Sequence, residues 1–401
     1  MGESPDTSTA PIRKRRWRWV RRGMGLLLVA WIVMGIYHSY KPLPAGISTL
    51  LPVREAQQVS LLTDITYLDA QGKRHSEQQV FDEVLRLIGQ AQKLVVVDMF
   101  LFNDFTGNAA TPGLRPLSAQ LTEALVQRKR EVPGLQAVLI TDPLNTVYGG
   151  LPSPHLQALR AAGVDVVLTD LSRLRTPNPA WSGLWQLCCR WAGNNEEAGW
   201  LPNPFGPGKV TLALLNLNAN HRKTLVVDEG DTWTGLVATA NPHDGSSAHG
   251  NAALRFSGQA ALDLLGSERA VALMSGADWP QAAGTATQAS PVTAEDQGTD
   301  VQLLTESQIR DALLTSIATA LPGDRLDIAV FYFSHRGLLR EVVAAHRRGV
   351  DVRVLLDPNE DAFGRKKNGI PNRQAALEMH EAGVPVRWCD THGEQCHSKL
   401  L

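Results

Sequence analysis

From residue 78 onward, stretches with helical apolar spacing alternate with stretches that are apolar throughout. Gln78 to Ala91 puts Val80, Val84, Leu87 and Ile88 on one helical face. Lys93 to Phe102 is then a near-continuous apolar run broken by Asp98, the pattern of a strand covered on both faces. A helix over Leu117 to Arg130 leads to the run Leu135 to Asp142, and a short helix over His155 to Ala162 stops at Gly163 before the strand Val164 to Thr169. The same succession then returns: Gln308 to Ala320, Leu326 to Phe333, Gly337 to Arg348, Val350 to Pro358, Asn372 to Ala382 and Gly383 to Arg387 alternate helix and strand in that order. Strands alternating with helices predict an α/β layered sheet, here in two copies of one plan.

Three stretches stand outside this repeat. Pro280 to Asp300 is rich in Ala, Gly, Thr, Gln and Ser without apolar periodicity, which predicts a linker. Leu171 to Lys209 has no counterpart in the second copy; it carries Trp181, Trp185, Trp191 and Trp200, with Trp181, Leu184, Trp185 and Cys188 on one helical face. Two readings fit it, a lid or membrane-resting element and an insertion packed over the sheet. At the N-terminus, the cationic run Arg13 to Arg22 precedes Gly23 to Tyr40, which holds no formal charge and is flanked by Trp17 and Trp19 on one side and Tyr37 and Tyr40 on the other. Such flanks suit a transmembrane helix with its basic side in the cytoplasm, which puts the bulk of the chain outside it. A cleavable signal, even a twin-arginine one at Arg21-Arg22, is the rival reading, but no small-x-small cleavage site follows Tyr40. The expected organisation is a basic cytoplasmic tail (1–22), a single-pass inner-membrane anchor (23–40), a first half (59–279), a linker (280–300) and a second half (301–401).

Composition adds little beyond that. The 401 residues are 43% hydrophobic and 20% charged, enough for two domains with cores. A net charge of -1 removes the electrostatic footprint of a nucleic-acid binder. The four cysteines are too few for a disulfide framework, although Cys389 and Cys396 are spaced to pair locally in an oxidising compartment. Cys389, His392, Cys396 and His397 follow no standard zinc spacing.

Chemistry concentrates where each copy of the repeat ends. Asn220-His221-Arg222-Lys223 enters the β-branched run Thr224 to Val227, so His221 and Lys223 project from one face of a strand, with Asp228 beyond and Thr239-Ala240-Asn241 closing the next apolar run. The second copy reaches His397-Ser398-Lys399. An imidazole beside an ammonium and an amide donor is equipped for phosphoryl transfer. His-x-Lys-x4-Asp followed by Ser/Thr-x-Asn, twice in a duplicated α/β scaffold, resembles the phospholipase D superfamily over roughly Leu94 to Leu401. The Asp that should follow the second His-x-Lys would fall past Leu401, so the chain is expected to be cut inside its second motif.

The resemblance implies two pseudo-symmetric α-β-α sandwich halves behind the N-terminal transmembrane helix. It implies that His221 and His397 share one phosphodiester, one attacking phosphorus and the other protonating the leaving alcohol, with Lys223 and Lys399 on the phosphoryl oxygens, and Asn241 and Thr239 donating hydrogen bonds. Asp228, part of the motif, is expected to support its strand and loop. No metal or cofactor is implied, because the lysines supply the positive charge. The family's Glu that orients a histidine is missing from Ser247 to Ala253, which leaves Asp244, His243 or His249 as stand-ins. His335 reads as a surface turn, Asp98 as bonded to a neighbouring loop, and Asp142 and Asp357 as paired structural caps. With the anchor, the expected substrate is a membrane phospholipid and the acceptor water or an alcohol, as in cardiolipin synthesis. The alternatives are a nuclease, which charge disfavours, and a non-catalytic lipid-binding scaffold if the natural chain ends at Leu401.

Overall fold

In the computed structural model, which describes residues 10–107, 114–190, 201–202, 209–279, 298–362 and 365–401, the long apolar runs become the middle of two sheets. The first half comprises β1 (Arg54–Leu68), β2 (Arg74–Gln78), α2 (Val80–Gln90), β3 (Leu94–Met99), α3 (Leu117–Glu131), β4 (Gln136–Thr141), α4 (Pro154–Ala161), β5 (Asp165–Leu168), α5 (Pro179–Cys188), β6 (Lys223–Glu229), β7 (Thr232–Ala238), β8 (Asn251–Ser257) and α6 (Gln259–Met274), preceded by α1 (Ala10–Tyr40). The second comprises β9 (Thr299–Val301), α7 (Ser307–Thr319), β10 (Arg325–Val330), α8 (Arg336–Arg347), β11 (Asp351–Leu356), α9 (Asn372–Glu381), β12 (Val386–Trp388) and β13 (Lys399–Leu400). Packing in the first half starts before Val59, with Ile47 buried and β1 already paired at Arg54.

Strand order shows the duplication directly. The nine-stranded sheet contains the succession β5-β4-β3-β6, and the four-stranded sheet is β12-β11-β10-β13. In each, three strands run parallel and the fourth, which carries the Lys of His-x-Lys, runs antiparallel to the central one. Every residue of β3 is buried, because α2, α3 and α4 cover one face of the sheet and α6 the other. β11 instead alternates, with Val352, Val354 and Leu356 inward against the second core and Asp351, Arg353 and Leu355 exposed. Among the described residues, the second sheet's helices lie on one face.

Small motifs repeat with the strands. Asp142, at the end of β4, accepts the backbone N–H of Asn220 at 2.8 Å, and Asp357, at the end of β11, accepts that of Cys396 at 2.7 Å. These are the residues just before His221 and His397, so the two aspartates are equivalent clamps. Asn145 bridges the Phe102 N–H and the Phe100 carbonyl, and Asn372 does the same for Phe333 and Phe331. The Phe100 N–H donates to the Arg222 carbonyl and the Phe331 N–H to that of Ser398.

Within the tryptophan-rich insertion, Leu174 packs against the core of the first sheet, while the helix α5 lies along α1. The indole Nε1 of Trp31 donates to the Ala180 carbonyl at 2.7 Å. The helices touch backbone to backbone: a Cβ on Gly35 would sit 2.6 Å from the Pro179 oxygen, and one on Gly183 would sit 2.5 Å from that of Trp31. Residues 191–200, with Trp191 and Trp200, lie outside the described residues, as do residues 280–297 of the expected linker. The sulfurs of Cys389 and Cys396 are bonded, as are those of the adjacent Cys188 and Cys189. Within α1, Arg16 to Tyr40 is long and apolar enough to cross a membrane and is almost wholly unburied; the helix takes in the basic run instead of beginning after it.

Candidate active site

Both His-x-Lys segments sit at the carboxyl ends of the parallel strands, the edge at which open α/β sheets bind ligands. Lys223, the first residue of β6, is 3% exposed, while His221, two residues earlier on the same side, remains accessible at the mouth. The Lys223 ammonium lies 3.3 Å from His221 Nδ1, donates to its carbonyl at 2.9 Å, and sits 5.1 Å from the centre of the Phe100 ring. Lys399 repeats this, 3.0 Å from His397 Nε2, 2.9 Å from its carbonyl and 5.8 Å from the Phe331 ring centre.

The two segments face one space. The strand before β13 docks on the loop before β8, the Gly250 N–H donating to Gln395 and the His397 N–H to Gly250, at 2.8 and 2.7 Å. Arg74 and Glu394 pair beside this junction at 2.9 Å. The electrostatics carry the same message. Burial holds His221 down to about pKa 3, helped by Lys223 and Lys399, one from each half. His397 is held well below its ordinary value by burial, then by Lys399, His249, Lys223 and His221. Burial lowers Lys223 to about 7, with Lys399 adding to the effect, and lowers Lys399 to about 8. Two imidazoles and two ammonium groups crowded against low-dielectric protein make a cleft that favours an anion.

The histidine partner that the sequence left open is Asn251. Its amide NH2 donates to the His249 carbonyl at 2.9 Å and to Asp64 at 3.3 Å, both pure acceptors, which fixes the amide's orientation. The amide oxygen therefore faces Thr239, whose hydroxyl donates to it at 3.1 Å, and His397 Nδ1 at 3.2 Å. His397 thus carries its proton on Nδ1 and keeps the Nε2 lone pair toward Lys399 and the cleft. Asp64 is buried on β1 and also accepts the Val80 N–H, at 3.0 Å.

The other expected stand-ins serve elsewhere. Asp244 accepts from the N–H and hydroxyl of Ser118, and His243 Nδ1 meets the Ser246 hydroxyl. His249 is a buried neighbour of His397, ring centres 6.1 Å apart, held down to about pKa 3 chiefly by burial. No spacing rule could have found Asp64, which reaches the site from a strand 187 positions earlier.

Of the motif residues, Thr239 spends its hydroxyl on Asn251 and the Ala252 N–H, and Asn241 accepts the Leu101 N–H, steadying the loop after β3. Asp228 lies at the far end of β6, where its carboxylate clamps the N–H groups of Gln92, Lys93 and Leu94 at 2.8 to 3.0 Å. It is a loop clamp, remote from the cleft. Asp98 is buried, bonded by the Asn220 amide, and pushed up by burial and by Glu268. His335 caps α8 through its Nδ1 at the Leu338 N–H. Among the described residues no His, Cys, Asp and Glu cluster is arranged to hold a metal.

Residues 313–401 match the family described as cardiolipin synthase, PLD-like domain. Those residues therefore carry a phospholipase D-like domain. Among solved structures, phosphatidylserine synthase from Haemophilus influenzae Rd KW20 is similar over 93% of this chain and 79% of its own, at 12% identity and a TM-score of 0.48. Nuc, a phospholipase D family member from Salmonella typhimurium, is similar over 54% of this chain and 95% of its own, at 12% identity and a TM-score of 0.30. The polyphosphate kinase of Porphyromonas gingivalis is similar over 84% of this chain, which spans 42% of that enzyme's length, at 11% identity and a TM-score of 0.38. No curated protein matches in sequence.

Proposed function

We propose that the chain is a membrane-anchored phosphodiesterase or phosphatidyltransferase that acts on phospholipid head groups through a phosphohistidine. The observation that carries this reading is the meeting of one His-Lys pair from each half around a single cleft, with no carboxylate paired to either lysine among the described residues. The buried ammonium of Lys223, in ion-pair contact with no carboxylate among the described residues, is costly unless an anion joins it; with Lys399 adding a second positive charge at the mouth, a phosphodiester is such an anion.

Before substrate binds, both rings are neutral at pH 7. A bound phosphodiester brings the opposite charge and raises both pKa values, so that one ring takes up a proton. The neutral ring attacks phosphorus through a nitrogen lone pair; the bond to the leaving alkoxide breaks, and the protonated ring gives that oxygen its proton. Water or a second alcohol then attacks phosphorus, surrenders its proton to the ring that lost one, and displaces the histidine. Lys223 and Lys399 neutralise the oxygens throughout, worth about 10²–10³ in rate apiece for donors of this kind.

Three observations support a lipid substrate: the candidate span in α1, the apolar insertion helix laid along it, and the family of residues 313–401. Orientation with the cleft outside the cytoplasm follows from the basic run before the span. Incubating full-length protein with head-group-labelled phospholipid and, separately, single-stranded DNA tests the reading. Release or transfer of the label is expected; cleavage of DNA alone would defeat it.

A further inference from the structure

Beside the His-Lys cleft, the first half carries a second, open-sided cavity of about 1110 Å³, just above the usual size of a small-molecule site. It lies under the last turn of α1 and against α5, at the carboxyl ends of β4 and β5. It therefore opens on the sheet edge that carries His221. Thr169 in its wall is bonded to the Asn220 amide at 3.0 Å, and Asn218, also in the wall, lies three residues before His221.

Its chemistry is that of an anion site with an apolar flank. Lys41, only 9% exposed, donates to the Ser172 carbonyl and has no ion-pair partner among the described residues. The carboxylate that acts on it from a distance, Asp170, is already bonded by the Ser172 hydroxyl and by Arg173 Nε. Arg173 stands exposed at the rim, leaving the rest of its guanidinium available. Three polar atoms of wall residues, Trp185 Nε1, Thr211 Oγ1 and Asn218 Oδ1, are buried without a hydrogen-bond partner among the described residues. A buried polar atom left unpartnered is destabilising, and the gathering of three round one cavity marks a group the protein itself does not supply.

The occupant follows from position. The cavity begins where the apolar span of α1 ends, at Tyr40, and the outer face of α5 leaves Leu184 and Leu187 exposed beside it. We propose that the cavity holds the phosphate-bearing head of a phospholipid drawn from the membrane, its phosphate between Lys41 and Arg173 and its ester or hydroxyl oxygens toward Trp185 and Thr211. This rests on the phospholipid reading above for the class of ligand, and assigns the lipid a place beside the His-Lys cleft.

The test uses full-length protein in phosphatidylcholine nanodiscs containing a few per cent of phosphatidylglycerol with a diazirine near its glycerol backbone. After illumination, adducts are expected on the peptides around Lys41 and Trp185. Lys41→Gln should lower them about tenfold, and Trp185→Phe, which keeps the ring and loses the donor, about threefold. Because Lys41 also braces the Ser172 loop, Arg173→Gln at the rim provides a variant outside the packed wall, with a loss of several-fold. Adducts confined to outward residues of α1 such as Leu26 and Leu28, labelling indifferent to all three variants, or labelling abolished by equimolar inorganic phosphate would overturn the proposal. Phospholipid turnover measured in the same nanodiscs separates the two readings: turnover without cavity adducts removes the cavity and leaves the enzyme, whereas cavity adducts without turnover do the reverse.

Discussion

The two halves share a skeleton and differ in how they support it. In the first, the strand carrying His221 and Lys223 sits inside a nine-stranded sheet covered on both faces, with the buried Asp98 and Glu268 and the half-buried Arg222 beside it. In the second, β13 is the outer strand of a four-stranded sheet in the described chain, Lys399 is exposed, and His397 receives its orienting hydrogen bond from Asn251 of the other half. The duplicated clamps, Asp142 with Asp357 and Asn145 with Asn372, hold each loop alike. Orientation of the second imidazole is borrowed, so the cleft exists only as a joint product of both halves.

The sharpest way to break this symmetry is to remove one imidazole at a time. His221→Ala and His397→Ala should each cut phospholipid turnover by about 10⁴-fold or more with the fold intact by circular dichroism, and the double variant should lose little beyond either single one, because the pair acts as a unit. Additive losses would mean that the halves work independently. The lysines come next. Lys223→Met and Lys399→Met should each lower turnover by about 10²–10³-fold, with the larger loss at Lys223, where the ammonium is more deeply enclosed.

Much of this arrangement was legible in the chain. The alternation of apolar runs with helical spacing located the helices and parallel strands in both halves to within about three residues, because the positions that face a core must be apolar whether one face of a strand is covered or both. The two His-x-Lys segments were visible because strand alternation puts both side chains on one face. What escaped was tertiary in origin. Asn251 carries no charge and no motif signal beside Asp244, His243 and His249, and only the fold brings Asp64 behind it and His397 in front. The insertion's tryptophans gave a helical face but not its partner, and the partner turned out to be α1, whose glycine and small-residue contacts carry no periodic signal.

The borrowed hydrogen bond can be tested by itself. Asn251→Ala should reduce kcat by about 10–100-fold with a smaller change in KM, by analogy with partners that orient a functional histidine. Asp64→Asn, which keeps the shape behind Asn251 and loses the charge, should cost less. If Asn251 only packed the loop, Asn251→Ala would lower stability and leave the kcat of the folded fraction unchanged.

The smallest effect is one of pH, and its sign follows from the lysines. Lys223 and Lys399 sit at about 7 and about 8 in the fold, below the ordinary lysine value of 10.5. Between those values the folded chain binds fewer protons than the unfolded one, so the contribution of these groups to stability rises with pH across that window and is lost as pH falls below 7. An anion in the cleft reverses this, because it favours the charged ammonium groups and takes up protons as it binds. Inorganic phosphate should therefore raise Tm most near pH 6, and the increment should shrink by about half or more by pH 9. Lys223→Met should flatten that dependence more than Lys399→Met, since the accessible ammonium of Lys399 is partly screened by solvent and the buried one of Lys223 is not.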